Sequence, residues 1–250
     1  MNGLKSKAMW LGGESVDDRV WTPFLTEQDR KSLTERPHLL WGFGERPALL
    51  LIDLYRWVFG DHPMPLLEAI KVWPGSCGMA AWDALPHIQR LLAASRNANI
   101  SIIHITGLDE GGIEGWAEAG KLQKNTYNSI PDIQNKKSRR FQIVDEVAPI
   151  SGETVIRKTA PSAFWGTPLL GHLNANRVDT LIVCGESTSG CVRATVVDGR
   201  THRYRVIVVE ECVFDRHQAP HAINLFDMHQ KYADVLPLDE VVDFLQRYRG

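Results

Sequence analysis

Apolar runs of strand length, separated by helical patterns, constrain this chain more than any other feature. Ala48-Leu49-Leu50-Leu51-Ile52-Asp53 is a continuous apolar run closed by one acid, the pattern of a strand covered on both faces. Ile100 to Thr106, Thr180 to Cys184 and Arg205 to Val209 read the same way, while Thr154 to Ile156 is shorter and Ala233 to Val235 weaker. Helical periodicity lies between most of these runs. Trp82 to Asn97 places Leu85, Ile88, Leu91 and Leu92 on one face, and Phe164 to Leu173, Cys191 to Arg203, Ala219 to Lys231 and Leu238 to Tyr248 follow. Such alternation requires crossovers between parallel strands, and these are right-handed. The expected fold is α/β: a doubly wound parallel six-stranded sheet with helices on both faces, a Rossmann-like three-layer α/β/α arrangement.

Two stretches stand outside this pattern. Residues 1–45 are polar and irregular but carry Trp10, Trp21 and Trp41, and read as an arm packed on the domain or on a neighbouring subunit. The domain proper is expected over residues 46–250. Residues 107–150, rich in Gly, Asn and Lys, read as an excursion near the site or at a subunit contact. A net charge of -2 removes the basic excess that a nucleic-acid binder needs. No apolar run approaches the roughly 20 residues that span a bilayer. The segment Met1 to Lys7 leads into polar sequence without an apolar signal core, so a cytoplasmic location is expected. Cys77, Cys184, Cys191 and Cys212 lack CxxC or zinc-type spacing and read as independent thiols.

Doubly wound sheets bind ligands beyond the carboxyl ends of their strands, where strand order reverses. Asp53 ends the first strand, Lys158 follows the third and Cys191 follows the fourth. With strands one and four adjacent, Asp53 and Cys191 would face one crevice. Each has an ordinary alternative. A terminal acid is often a turn residue, a lysine after a short strand is usually solvated, and a cysteine after an apolar strand is commonly inert packing. Cys184 and Cys212 are read in that last way. Cys191 differs because Gly185-Glu186-Ser187-Thr188-Ser189-Gly190 separates it from the strand and a helical pattern begins at it. A thiol at a helix N-terminus is expected to favour thiolate, and the amides there suit a developing oxyanion.

The runs Leu50-Leu51-Ile52-Asp53, Arg157 to Phe164 (Arg-Lys-Thr-Ala-Pro-Ser-Ala-Phe), Ser187 to Thr195 (Ser-Thr-Ser-Gly-Cys-Val-Arg-Ala-Thr) with Val196-Val197-Asp198, and Asn224 to Met228 resemble the isochorismatase-like cysteine hydrolases. The resemblance covers about residues 43–245 and is nearest the branch of N-carbamoylsarcosine amidases and maleamate amidohydrolases. It implies a catalytic triad of Asp53, Lys158 and Cys191. Cys191 would attack an amide or carbamoyl carbon, Asp53 would move the proton, and Lys158 would favour the ionised forms beside it. It also implies a non-proline cis peptide at Glu186-Ser187 and an oxyanion hole from the amides of Ser187 and Cys191. Arg216 matches the arginine that holds the substrate carboxylate, with Ser187 or Thr188 supplying a hydroxyl. Glu186 departs from the small or apolar residues expected there, and either contacts substrate or reaches solvent. Trp165, with Trp57 and Phe59, is a candidate pocket wall.

No cofactor and no metal are expected. Related nicotinamidases hold a divalent ion through Asp-x-His, whereas Asp53-Leu54-Tyr55 offers no histidine, and His217 with His221 reads as helix surface. The expected activity is hydrolysis of a C–N bond in a small carboxylate-bearing carbamoyl or amide compound, N-carbamoylsarcosine first and maleamate second. The expected assembly is a homotetramer. A non-catalytic oligomeric binding protein on the same fold is the alternative from another class. A thiol redox protein is disfavoured because Cys191 lacks a resolving cysteine nearby.

Overall fold

The computed structural model describes residues 19–108 and 130–250, so Trp10 and the middle of the 107–150 excursion lie outside the described residues. The elements run α1 (Glu27–Glu35), β1 (Pro47–Ile52), α2 (Arg56–Phe59), α3 (Leu66–Val72), α4 (Met79–Asn97), β2 (Ser101–Gly107), α5 (Ile133–Arg139), β3 (Thr154–Lys158), α6 (Leu169–Ala175), β4 (Thr180–Glu186), α7 (Arg193–Thr201), β5 (Arg205–Phe214), α8 (Gln218–Lys231), β6 (Asp234–Leu236) and α9 (Leu238–Arg247). The six strands form one parallel sheet in the order β3-β2-β1-β4-β5-β6. Strand order reverses between β1 and β4.

Alternate residues of each strand feed opposite layers. Leu49, Leu51, Ile182, Ile207 and Val209 pack with Leu85, Ile88 and Leu92 of α4 and Val241, Val242 and Leu245 of α9. Leu50, Ile52, Val183, Val206 and Val208 pack with Leu173 of α6, Val196 of α7, and Leu225 and Met228 of α8. Each such side chain, fully buried, contributes about 1.5–3 kcal/mol. The continuous apolar runs follow from this: both faces of every central strand are covered.

The structure departs from the sequence reading at several element ends. The helix expected over Phe164–Leu173 starts at Leu169 instead. Gly166 has φ 65, and Pro168 lies immediately before the helix and disfavours helical backbone at Thr167. β5 runs on to Phe214, with a register shift against β4 between Val183 and Gly185. The short helices α1, α2, α3 and α5 were not legible. The first is set by a capping box between Thr26 and Asp29 rather than by apolar periodicity.

The described part of the arm folds onto its own domain. Trp21 is buried against Phe226 and His229, and Arg19 pairs with Glu210 on β5. Buried Asp234 on β6 accepts from the amides of Trp41 and Gly42 and contacts His38 Nε2 at 3.1 Å.

A second buried acid secures the edge strand. Glu153, just ahead of β3, takes Arg96 Nε at 2.7 Å, His104 Nε2 at 2.8 Å and the Ile150 amide at 3.0 Å. These tie β3 to α4 and β2. Burial alone would raise this carboxyl, but the bonds from Arg96, Ile150 and His104 hold it down to about 2. A carboxyl depressed in the folded state stabilises above its unfolded pKa and loses that contribution as pH falls toward the folded value. Glu153→Gln is expected to cost about 2–4 kcal/mol in urea unfolding at neutral pH, with the gap to wild type narrowing as pH falls toward 2. An unchanged unfolding midpoint at neutral pH would refute the anchor.

Candidate active site

Three side chains converge where strand order reverses. Asp53 follows β1 with φ 55, in the left-handed region that Asp tolerates better than most residues, and its amide donates to Ile105 O. Lys158 ends β3, two strands away, roughly 10 Å at about 4.8 Å per strand. Its side chain is long enough to cross the end of β2. Lys158 Nζ lies 2.7 Å from Asp53 Oδ2 and donates to Cys191 Sγ at 3.2 Å. The Asp53 carboxylate also acts on the Cys191 thiol through its charge. Asp53 and Lys158 are buried and Cys191 half-buried, so Lys158 is not the solvated surface lysine of the alternative reading.

Gly185 makes the junction possible. It has φ 115, and a Cβ there would stand 2.0 Å from the carbonyl oxygen of Ile52. Only glycine lets β4 close against the end of β1 at this point. Beyond it the Glu186-Ser187 peptide is cis. Residues 188–192 then form one wide helical turn, with Gly190 outside helical geometry, before α7 starts at Arg193. Val192 already has helical geometry, so Cys191 stands directly after the kink at Gly190, at the start of the run that continues as α7. Within the turn, Gly190 and Val192 amides donate to Ser187 O, and Ser189 donates through its amide and Oγ to Asp215 Oδ2. The expected oxyanion donors, Ser187 and Cys191, are not among these.

The electrostatics correct one expectation. Burial pushes the Cys191 thiol well up, and the Asp53 carboxylate adds to that against Lys158. One cation compensates one anion, and Lys158 already pairs with Asp53. Burial raises Asp53 as well, by more than Lys158 lowers it. Burial opposes the Lys158 ammonium, yet the neighbouring Asp53 and Cys191 raise it. Both shifts favour a protonated sulfur beside a carboxylate able to accept its proton, against the thiolate expected from helix position.

The remaining candidates divide. Arg216 lies on the loop after β5, donates from Nε to Ser76 O at 3.2 Å, and exerts its charge on Glu186. Thr188 is fully buried and bonded to His221 Nδ1 at 2.8 Å, so its hydroxyl is engaged in the structure rather than offered to a ligand. This also corrects the reading of His221 as helix surface. Trp165 is 72% exposed on the loop between β3 and α6, among the described residues. Phe59 is core, against Trp82 and Phe214, and Trp57 stacks edgewise on Trp73. Sequence reasoning missed Tyr55 and Cys77 near Glu186, and Asp215, which holds Ser189. Cys77 follows no strand and has no motif to mark it. Among the described residues no three His, Cys, Asp or Glu side chains group as a metal site.

A doubly wound sheet with this crevice defines a class, and the isochorismatase domain model matches residues 47–240. The chain belongs to that family. It is 34% identical to a maleamate amidohydrolase of Pseudomonas putida over 84% of this chain and 91% of that one. It is 35% identical to an N-carbamoylsarcosine amidase of an Arthrobacter species, over 82% of this chain and 73% of that one. Among solved structures, a cysteine hydrolase of Pseudomonas syringae superposes with a TM-score of 0.71 at 21% identity, covering 86% of this chain and 99% of that one. This last likeness concerns the fold.

The raised thiol has a direct test. Ultraviolet thiolate absorbance, wild type minus Cys191→Ala, is expected to be absent at neutral pH and to emerge only above about pH 9. A full thiolate signal at about pH 7 would show that the macrodipole outweighs burial.

Proposed function

We propose that this chain hydrolyses the C–N bond of a small carboxylate-bearing carbamoyl or amide compound and releases ammonia, with Cys191 as nucleophile. It is an amidohydrolase acting on C–N bonds other than peptide bonds, the class of the relatives named above. The observation that carries the finer reading is Lys158 Nζ, within 2.7 Å of Asp53 Oδ2 and 3.2 Å of Cys191 Sγ.

The chemistry follows from these contacts. As Sγ attacks the carbonyl carbon, the thiol proton passes to Asp53, whose raised affinity for it suits a general base. Lys158 then balances whichever of the two carries negative charge. The amides of Cys191 and Ser187 receive the oxyanion, each worth about 3 kcal/mol in the transition state. Collapse of the tetrahedral intermediate breaks the C–N bond, and Asp53 returns the proton to the departing nitrogen, leaving a thioester on Cys191. Asp53 deprotonates a water that attacks the thioester, and the thiol is regenerated as product leaves. Arg216 holds the substrate carboxylate through its guanidinium, while Ser187 supplies a hydroxyl.

N-carbamoylsarcosine is the first choice of substrate and maleamate the second. Identities of 35% and 34% do not favour either. A homotetramer in the cytoplasm remains part of this reading. A non-catalytic binding protein would have no use for a lysine held between an acid and a thiol.

Ammonia release from N-carbamoylsarcosine, maleamate and related ureido acids tests the assignment. Cys191→Ala is expected to lose at least about 10³-fold in kcat, and full turnover by that variant would eliminate the mechanism. Arg216→Ala is expected to raise KM about 10–100-fold with a smaller change in kcat. An unchanged KM would remove Arg216 from substrate binding.

A further inference from the structure

Glu186 has no step in the reaction above, yet it stands beside Asp53 at the carboxyl end of the sheet. It is the last residue of β4, and Gly185 before it pairs with Ile52. The charges of Asp53 and Lys158 act on it, as do those of Asp215 and Arg216 from the loop after β5. From the segment before α4, the Cys77 thiol donates to Oε1 at 3.8 Å. Tyr55 and Cys191 are the other titratable groups within its influence. Glu186 pairs in register with Phe214 of β5, two residues before Arg216. Arg216 donates to the carbonyl of Ser76 next to Cys77, so Glu186 stands between Asp53 and the loop that carries the guanidinium.

The acids of this crevice are unequally compensated. Asp53 has Lys158 at 2.7 Å. Asp215 accepts the Ser189 amide at 2.9 Å, Ser189 Oγ at 2.6 Å and the Arg216 amide at 2.8 Å. Glu186 has the weak Cys77 donor. A bound substrate adds a further carboxylate to the same space. Buried anions crowded beyond their cations are relieved by protonating the least compensated one. Burial, then the charges of Asp53 and Asp215, push Glu186 up to about 8 against Lys158 and Arg216. With Cys77 directed at Oε1, Oε2 is the oxygen left to carry an acid proton.

We propose that Glu186 is a specificity-determining residue that, as a neutral carboxylic acid, donates a hydrogen bond from Oε2 to the substrate carboxylate held by Arg216. The inference rests on the carboxylate-bearing substrate proposed above. Ionised Glu186 would repel that carboxylate, whereas an uncharged amide would be indifferent to its state. The crevice then selects carboxylate-bearing substrates by an acid–carboxylate bond as well as by the guanidinium.

The test is steady-state kinetics from about pH 6 to 10 on maleamate and N-carbamoylsarcosine, each paired with its uncharged N-methylamide, for wild type, Glu186→Gln and Glu186→Ala. For wild type, KM for the carboxylates is expected to rise up to about tenfold per pH unit above the Glu186 ionisation, while KM for the N-methylamides stays level. Glu186→Gln keeps an uncharged donor, so its KM for the carboxylates should stay level over the same range. Glu186→Ala should raise that KM about 5–10-fold at neutral pH. An alkaline rise that persists in Glu186→Gln, or one shared by the N-methylamides, would overturn the proposal. The infrared difference spectrum of wild type minus Glu186→Gln reads the same group without turnover. A carboxylic-acid band at about pH 6 that converts to carboxylate through about pH 8 is expected, and a carboxylate band already at pH 6 overturns the proposal. Arg216→Ala separates the two readings. A raised KM in Arg216→Ala together with an alkaline rise that persists in Glu186→Gln defeats this inference alone, whereas an unchanged KM in Arg216→Ala defeats the carboxylate reading and this inference with it.

Discussion

The ion pair between Lys158 and Asp53, 2.7 Å long and shielded from water, is the interaction on which the site depends. A buried carboxylate or ammonium alone would neutralise, because removal from water costs several kcal/mol per ion. Together they hold two charges at the open edge of the sheet, and Cys191 joins them through its sulfur. The pair also sets a demand on the fold. Its members come from strands separated by β2, so the sheet must keep its register at the edge to keep the pair intact.

That demand explains features which otherwise look unrelated. β3 is a five-residue edge strand, and Glu153 ties its start to α4 and β2. Gly185 lets β4 approach the end of β1 where any side chain would collide with Ile52. Asp53 itself takes a left-handed backbone, a conformation that surrounding structure must over-determine. Asp215 and His221 fix the turn around Cys191 by binding Ser189 and Thr188. Each is a support for the position of one side chain in the crevice.

The layered sheet and its three converging residues were legible because the signals are local. A strand covered on both faces is a continuous apolar run, and Asp53, Lys158 and Cys191 sit at or just beyond the ends of such runs. What was not legible depends on contacts distant in sequence. The upward push on the Cys191 thiol comes from burial and then from the Asp53 carboxylate, which a helix-terminus argument does not see. Thr188 reads as a free hydroxyl until α8 brings His221 against it. The exposure of Trp165 depends on Gly166 and Pro168, which delay α6 to Leu169. The Glu186 environment requires Cys77, over a hundred positions earlier in the chain, to be known as a neighbour.

The central claim is that the sulfur of residue 191 carries the reaction from a site made by the Lys158–Asp53 pair. Its most direct measurement is residual ammonia release plotted against the fraction of Cys191 alkylated, quantified by peptide mass mapping of the same samples. The account predicts a straight line falling to no activity at one equivalent on Cys191, with substrate slowing the modification. Protein fully alkylated at Cys191 that still turns over at the original rate would contradict it.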